Sequence, residues 1–241
     1  MAKNCNGFQF KQFFIAHDQC AMKVTTDAIL LGCWVNTDSS IRTMLDIGTG
    51  SGILALMLAQ KTAENVSIDA VELEDNAFQQ AEINFMASKW GNKLQAIHSN
   101  ILDYADKMSH CYDVIVTNPP YFNVGVACAS SERSLARYTG HLTHEQLLCA
   151  AKKLLSERGK LYLVLPTRVV DDFLVLANEN QWYLGQRLFV RERENKAAHL
   201  LLLEMALYPL DSDEKGLTIR QDDNQYSADY RELAREFYLA F

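Results

Sequence analysis

Three stretches of this 241-residue chain carry side chains whose types and spacing could do chemistry. The first is Asp46-Ile-Gly-Thr-Gly-Ser-Gly52. Glycine lets a backbone turn tightly and approach a ligand closely. The dinucleotide-binding spacing is G-x-G-x-x-G, but here the third glycine comes one residue early and Ile53 stands where that motif needs glycine. Asp46 is also wrong for a pyrophosphate, because a carboxylate repels an anion and welcomes an ammonium. The second set is a pair of acids. Glu72 stands at the tip of the next strand, where an acid accepts hydrogen bonds from ribose hydroxyls. Asp103, in the loop after the strand beyond, could accept from an exocyclic amine. Together these groups fit a nucleoside bearing an amino-acid tail. Singly, each has a plainer explanation: a Gly-rich turn without a ligand, a charged strand end, a helix cap. The third stretch is Asn118-Pro-Pro-Tyr-Phe122. Two prolines cannot continue a strand ladder, so the chain leaves its sheet at a stiff corner. An amide and an aromatic ring held there suit a flat, hydrogen-bonding substrate. The plainer alternative is a strand-ending turn followed by a packed tyrosine.

The elements that must position these groups follow from periodicity and turn residues. Phe8–Ile15 suggests a short strand or hairpin. Ala28–Trp34 reads as a helix capped by Thr26 or Asp27. Buried strands are expected at Thr43–Gly48, Val66–Glu72, Leu94–His98, Tyr112–Thr117 and Gly159–Leu165. Helices are expected at Ile53–Lys61, Asp75–Lys89, Thr143–Ser156 and Arg168–Asn180, with Thr143 as a cap. Asn100–Asp106 reads as an acidic loop. Trp182–Arg193 and Ala197–Leu207 are long enough to pair as an antiparallel hairpin. Asp211–Gln225 is polar and reads as a loop, and Tyr230–Phe241 as a short amphipathic helix. Strands alternating with helices give an α/β fold: a mostly parallel, doubly wound sheet, made mixed by the hairpin. In such sheets ligands bind at the carboxyl ends of the strands, where all three stretches fall.

Hydrophobic residues make up 49% of the chain and charged residues 22%, enough for a sizeable core. No run reaches the roughly 18 apolar residues of a membrane helix, and the first residues lack the apolar core of a signal peptide. The six cysteines are scattered without a C-x-x-C pair, which points to reduced thiols in a cytoplasmic protein and implies no metal site. Net charge is −7, so no global basic field attracts nucleic acid, although a local patch is compatible with that total. Arg133 and Arg137 stand at helical i, i+4 spacing and could meet phosphates; Lys11, Lys23, Arg187, Arg191, Arg193 and Lys196 could extend such a track or be ordinary surface charges.

The ordered set Asp46–Gly52, Glu72, Asp103 resembles the class I, Rossmann-like S-adenosylmethionine-dependent methyltransferases, whose seven-stranded sheet ends in an antiparallel hairpin. That resemblance implies S-adenosyl-L-methionine as cofactor, with Asp46, Gly48, Gly50 and Gly52 on its methionine moiety, Glu72 on the ribose and Asp103 on the adenine amine. Asn118-Pro-Pro-Tyr121 is similar to the N-P-P-Y motif of methyltransferases that modify a planar nitrogen, of adenine N6 or of a protein glutamine N5. Asn118 then borders both cofactor and substrate. Its side-chain oxygen and the Pro119 carbonyl would orient the amine, Tyr121 would stack on the base, and Pro120 and Phe122 would line the pocket mouth. Phe8–Phe13, Lys23–Gly32, Arg133–Arg137 and Tyr226–Tyr238 carry the resemblance further, to the bacterial tRNA-valine adenine-N6 methyltransferase family. It implies a tRNA anticodon stem-loop as partner, methylation of the adenine 3′ to the anticodon, Lys23 and Asp27 in a block closing over the cofactor, and Arg133 and Arg137 on the RNA. Ribosomal RNA, DNA adenine or a protein glutamine are the alternative substrates of the same motif. One domain over 1–241 is expected, with a covering segment (1–41), a catalytic sheet with its helices (42–210) and a terminal loop and helix (211–241), acting as a monomer.

Overall fold

The computed structural model describes residues 7–20, 23–109, 112–119 and 142–241. A two-stranded antiparallel hairpin, β1 (Gly7–Gln9) and β2 (Phe14–Ala16), precedes α1 (Thr26–Trp34). Then come β3 (Thr43–Ile47), α2 (Ile53–Lys61), β4 (Ser67–Glu72), α3 (Asp75–Ala87), β5 (Leu94–His98), α4 (Ile101–Lys107) and β6 (Tyr112–Thr117). After the undescribed stretch follow α5 (His144–Leu154), β7 (Leu155–Pro166), α6 (Thr167–Glu179), β8 (Tyr183–Arg191), β9 (Leu200–Ala206), β10 (Asp213–Thr218) and α7 (Ala228–Ala234).

The large sheet has the order β10-β8-β9-β7-β6-β3-β4-β5. Strands β7, β6, β3, β4 and β5 are parallel neighbours, and β9 pairs antiparallel with both β7 and β8. The expected α/β architecture and its antiparallel hairpin are present. From β3 the chain steps outward through β4 and β5, then returns to the other flank of β3 as β6. The crevice at such a reversal is where open α/β sheets take ligands. Ile47 of β3 pairs with Val71 of β4 and Thr117 of β6, so the loops after all three strands leave the sheet at one level. The Thr117 hydroxyl donates to the Ile47 carbonyl at 3.0 Å, fastening β6 to β3 where both end.

Apolar cores cover both faces. One holds α4, α5 and α6; the other holds α1, α2, α3 and α7. Every residue from Ile53 to Ala59 of α2 is buried. A helix apolar all round must be covered all round. The sheet covers one side of α2, and the hairpin and chain end contribute to the same core on the other, with Phe10, Phe13, Ile15, Tyr230 and Phe237 all buried. The Lys11 N–H donates to the Phe237 carbonyl at 2.8 Å, tying the two segments together.

Four expectations change, one of them near residue 230, where the helix is Ala228–Ala234 and not Tyr230–Phe241. Residues 211–225, read as a loop, contain β10, an edge strand parallel to β8 that brings the sheet to eight strands. It looks polar because an edge strand buries little: Leu217 is buried and most of its neighbours are exposed. Asn100–Asp106, also read as a loop, is helix α4, whose Asn100 side chain accepts from the Leu102 N–H at 2.9 Å while Ile101 and Ala105 are buried. The cap of α1 is Thr25, one residue before the expected pair, accepting from the Ala28 N–H at 3.4 Å.

Candidate active site at the carboxyl edge of the sheet

Gly48, Gly50 and Gly52 all have positive φ (71°, 56° and 87°), conformations that L side chains disfavour. A Cβ at Gly48 or Gly50 would meet nothing within 4 Å, so the backbone there faces open space. At Gly52 a Cβ would lie 2.5 Å from the Phe85 ring, so this third glycine lets α2 start close against α3.

Asp46 is fully buried at the end of β3. The Thr49 hydroxyl donates to its Oδ2 at 2.5 Å, and its Oδ1 has no hydrogen-bond partner among the described residues. Burial pushes the carboxyl up to about 7, and the neighbouring Glu72 adds to the rise. A fully buried carboxyl next to a backbone with open space fits a ligand that brings its own cation.

Glu72 ends β4 and is half-buried. Its Oε2 accepts from the Gly50 N–H at 2.8 Å, and its Oε1 accepts from the N–H groups of Leu73 at 2.8 Å and Glu74 at 3.0 Å. It therefore braces the glycine loop from the side of β4. The thiol of Cys20 is pushed up to about 11 by burial and by the carboxylates of Glu72, Glu74 and Asp18. Residues 18–20 thus stand beside the acids at the rim, which form a negative margin suited to a cationic ligand.

Lys23 is exposed and Asp27 half-buried, at the start of α1. Lys61 in the last turn of α2 donates to the carbonyls of Gly32, Cys33 and Val35 at the end of α1. The C-terminal ends of the two helices are thereby tied together. Asp103 lies in the first turn of α4 and is exposed; Asn100, not Asp103, is the cap. Asn118 is half-buried and Pro119 buried, directly beyond the Thr117–Ile47 lock. The fold therefore gathers Asp46, Gly48, Gly50, Gly52, Glu72 and Asn118 around the ends of β3, β4 and β6. Pro120, Tyr121, Phe122, Arg133 and Arg137 lie outside the described residues.

Sequence reasoning missed Asn84 of α3. This buried amide donates to the carbonyls of Ser51 and Ala16, each at 2.8 Å, and accepts from the Ala16 N–H at 3.0 Å. Its signal was available: Ala77, Gln80, Ala81, Asn84 and Phe85 recur at helical spacing as the buried face of α3, and two of them are polar.

Most of the basic track is committed within the fold. Arg187 pairs with Glu214 and Arg191 with Glu194, while Arg193 donates to the Gln221 and Asp222 carbonyls and to Asn224; Arg220, outside that track, pairs with Glu192. Lys11 donates to the carbonyls of Arg235 and Phe241. No helix among the described residues is long and apolar enough to cross a membrane, and no group of three His, Cys, Asp or Glu among them could hold a metal.

The fold and this edge define a class I methyltransferase. Residues 25–172 match the methyltransferase small domain, and the crystal structure of a predicted O-methyltransferase from Agrobacterium tumefaciens shares the fold, with a TM-score of 0.69 over 88% of this chain and 96% of that one at 14% identity. The tRNA1(Val) (adenine(37)-N6)-methyltransferase of Pectobacterium carotovorum subsp. carotovorum is 48% identical over 234 residues, 97% of this chain and 94% of its own. The enzyme of the same name from Erwinia tasmaniensis is 46% identical, over 97% of this chain and 95% of its own. The chain belongs to the family of tRNA1(Val) (adenine(37)-N6)-methyltransferases.

Proposed function

We propose that this chain methylates the exocyclic N6 of adenine 37, the adenine 3′ to the anticodon, in a valine tRNA. The observation that carries this reading is the pairing of Ile47 with Thr117, which sets a glycine loop beside an Asn-Pro corner. Bound S-adenosyl-L-methionine would supply an electrophilic methyl group on a sulfonium. Asp46 would take the ligand's ammonium, with the open backbone of Gly48 and Gly50 along its tail and Gly52 holding the loop against α3. Glu72 keeps acceptor capacity for ribose hydroxyls beyond its three backbone bonds, because a carboxylate has about four lone-pair sites. Asp103 is assigned to the adenine amine, and Lys23 and Asp27 to the cover over the cofactor.

On the substrate side, the N6 lone pair of adenine is delocalised into the ring and is a poor nucleophile. The Asn118 side-chain oxygen and the Pro119 carbonyl accept from the two amino hydrogens, which draws the nitrogen toward tetrahedral geometry and raises its electron density. Tyr121 stacks on the base, a contact worth ~1–3 kcal/mol, with Pro120 and Phe122 at the mouth. The base must leave its stack to reach this corner. Alignment of nitrogen, methyl and sulfur is then a matter of positioning. In this reading one chain supplies every group, so a monomer suffices, and its tRNA substrate places it in the cytoplasm.

The test is transfer of labelled methyl to total tRNA, followed by nucleoside analysis and mapping to single tRNAs. N6-methyladenosine at position 37 of the valine tRNA is expected. Label in protein, or only in ribosomal RNA or DNA, would overturn the reading.

A further inference from the structure

Asn84 uses both amide hydrogens and its carbonyl oxygen on two other segments. Towards Ala16 at the end of β2 it behaves like a neighbouring strand, accepting from the N–H at 3.0 Å and donating to the carbonyl at 2.8 Å. Its second amide hydrogen goes to the Ser51 carbonyl at 2.8 Å, inside the glycine loop. One turn earlier on the same helix face, buried Gln80 accepts from the Gln19 N–H at 3.3 Å, but no bond from it reaches the loop. Among the described residues, Asn84 is the side chain that hydrogen-bonds both the N-terminal segment and the loop. The loop is thereby held on two sides, Gly50 by Glu72 and Ser51 by Asn84. Backbone bonds hold the rest of the loop, the Gly48 and Thr49 N–H groups donating to the Val71 carbonyl at 2.9 and 3.2 Å and the Gly52 N–H to the Thr49 carbonyl at 2.9 Å, so the side chains of Glu72 and Asn84 brace the stretch between them.

We infer that Asn84 is a positioning residue for cofactor binding: it couples the segment at Ala16 to the Ser51 carbonyl and so sets the loop that receives the methyl donor. The inference rests on the cofactor reading above. Wild-type binding of S-adenosylhomocysteine tests that reading separately, so failure of one is distinguishable from failure of the other.

The experiment compares wild type, Asn84→Asp, Asn84→Ala and Gln80→Ala by calorimetric titration with S-adenosylhomocysteine and by steady-state methylation of tRNA, well below each Tm. Aspartate keeps the shape and the acceptor but loses both donated bonds; leaving the Ser51 carbonyl unpaired should raise the Kd about tenfold. The KM for S-adenosylmethionine should rise similarly, with the KM for tRNA and kcat at saturating cofactor unchanged within about twofold. Gln80→Ala loosens the same segment without touching the loop, so its Tm should fall while its Kd stays. Equal loss of affinity in Gln80→Ala, or lower Tm with unchanged Kd in both Asn84 variants, would overturn the inference. Wild-type hydrogen exchange gives a readout that needs no variant: S-adenosylhomocysteine should slow exchange at Ala16 as well as in the loop. Protection confined to the loop would overturn the coupling.

Discussion

Asp46 gives the site a pH dependence whose sign can be worked out. Burial raises its carboxyl from an ordinary 3.8 to about 7. Between those values the folded chain holds a proton that the unfolded chain has released. Stability therefore falls as pH rises through that window, by up to ~1.4 kcal/mol per pH unit from this group, and levels off above it. Asp46→Asn has the same shape without the charge. Its Tm relative to wild type should rise from pH 4.5 to pH 8, and an identical difference at both would contradict the assignment. A ligand ammonium favours the carboxylate, so binding drives the proton off below pH 7. Affinity for S-adenosylhomocysteine should weaken as pH falls, by up to tenfold per unit, whereas a flat calorimetric profile would separate Asp46 from the ligand's charge. Asn118 should behave differently. In the proposed role, Asn118→Ala removes an acceptor that matters once the amine begins to react, so kcat should drop by at least about a hundredfold while cofactor affinity stays nearly unchanged. A large rise in cofactor Kd would place Asn118 on the wrong reactant.

At the scale of elements, α2 depends on what lies outside the sheet. Phe237 is buried within the core that includes α2, 6.5 Å from the Phe10 ring, and its carbonyl accepts from the Lys11 N–H. Phe237→Ala opens a cavity there and should cost ~3–5 kcal/mol, read as a lower denaturation midpoint with an unchanged m-value. A loss under ~1 kcal/mol would mean the chain end is not part of that core. The strands were legible because Thr43–Ile47 and Tyr112–Thr117 are apolar runs stopped by Gly48 and Asn118-Pro119, whose backbone chemistry ends a ladder. Helix α5 was legible because Thr143 and Gln146 form a reciprocal cap around an amphipathic face. Strand β10 was not, since its pairing with β8 uses backbone groups and it buries Leu217 alone within its span. Helix α4 has only seven residues, too few for its period to stand out from its acids. Asn84 escaped because a single chain marks a buried amide only by its place on an apolar face, and its partners at Ala16 and Ser51 are set by tertiary packing.

For the whole molecule the question is how a chain of net charge −7 holds an RNA. Long-range attraction cannot supply the affinity; screening in physiological salt limits charges to about 8 Å. Binding must come from cations that meet phosphates locally and release counterions, and the salt dependence of affinity counts them. The cations at the far edge of the sheet are poor candidates, because Arg187, Arg191 and Arg220 are paired with acids and Arg193 is committed to the backbone of the 221–224 turn. Drawing them onto phosphate would break those bonds. Arg133 and Arg137, which follow the Asn-Pro-Pro-Tyr corner closely in sequence, carry the alternative. Two double variants separate the possibilities in a titration of tRNA affinity against salt. Arg133→Ala with Arg137→Ala should weaken binding and reduce the slope of log affinity against log salt by roughly 0.7–0.9 for each phosphate that is no longer neutralised. Arg191→Ala with Arg193→Ala should leave the slope unchanged and register instead as a small loss of stability at the β8 edge. The opposite outcome would assign the RNA to the outer edge of the sheet and not to Arg133 and Arg137. A tRNA held there would need its anticodon loop to reach across β9 and β7 to present adenine 37 to Asn118.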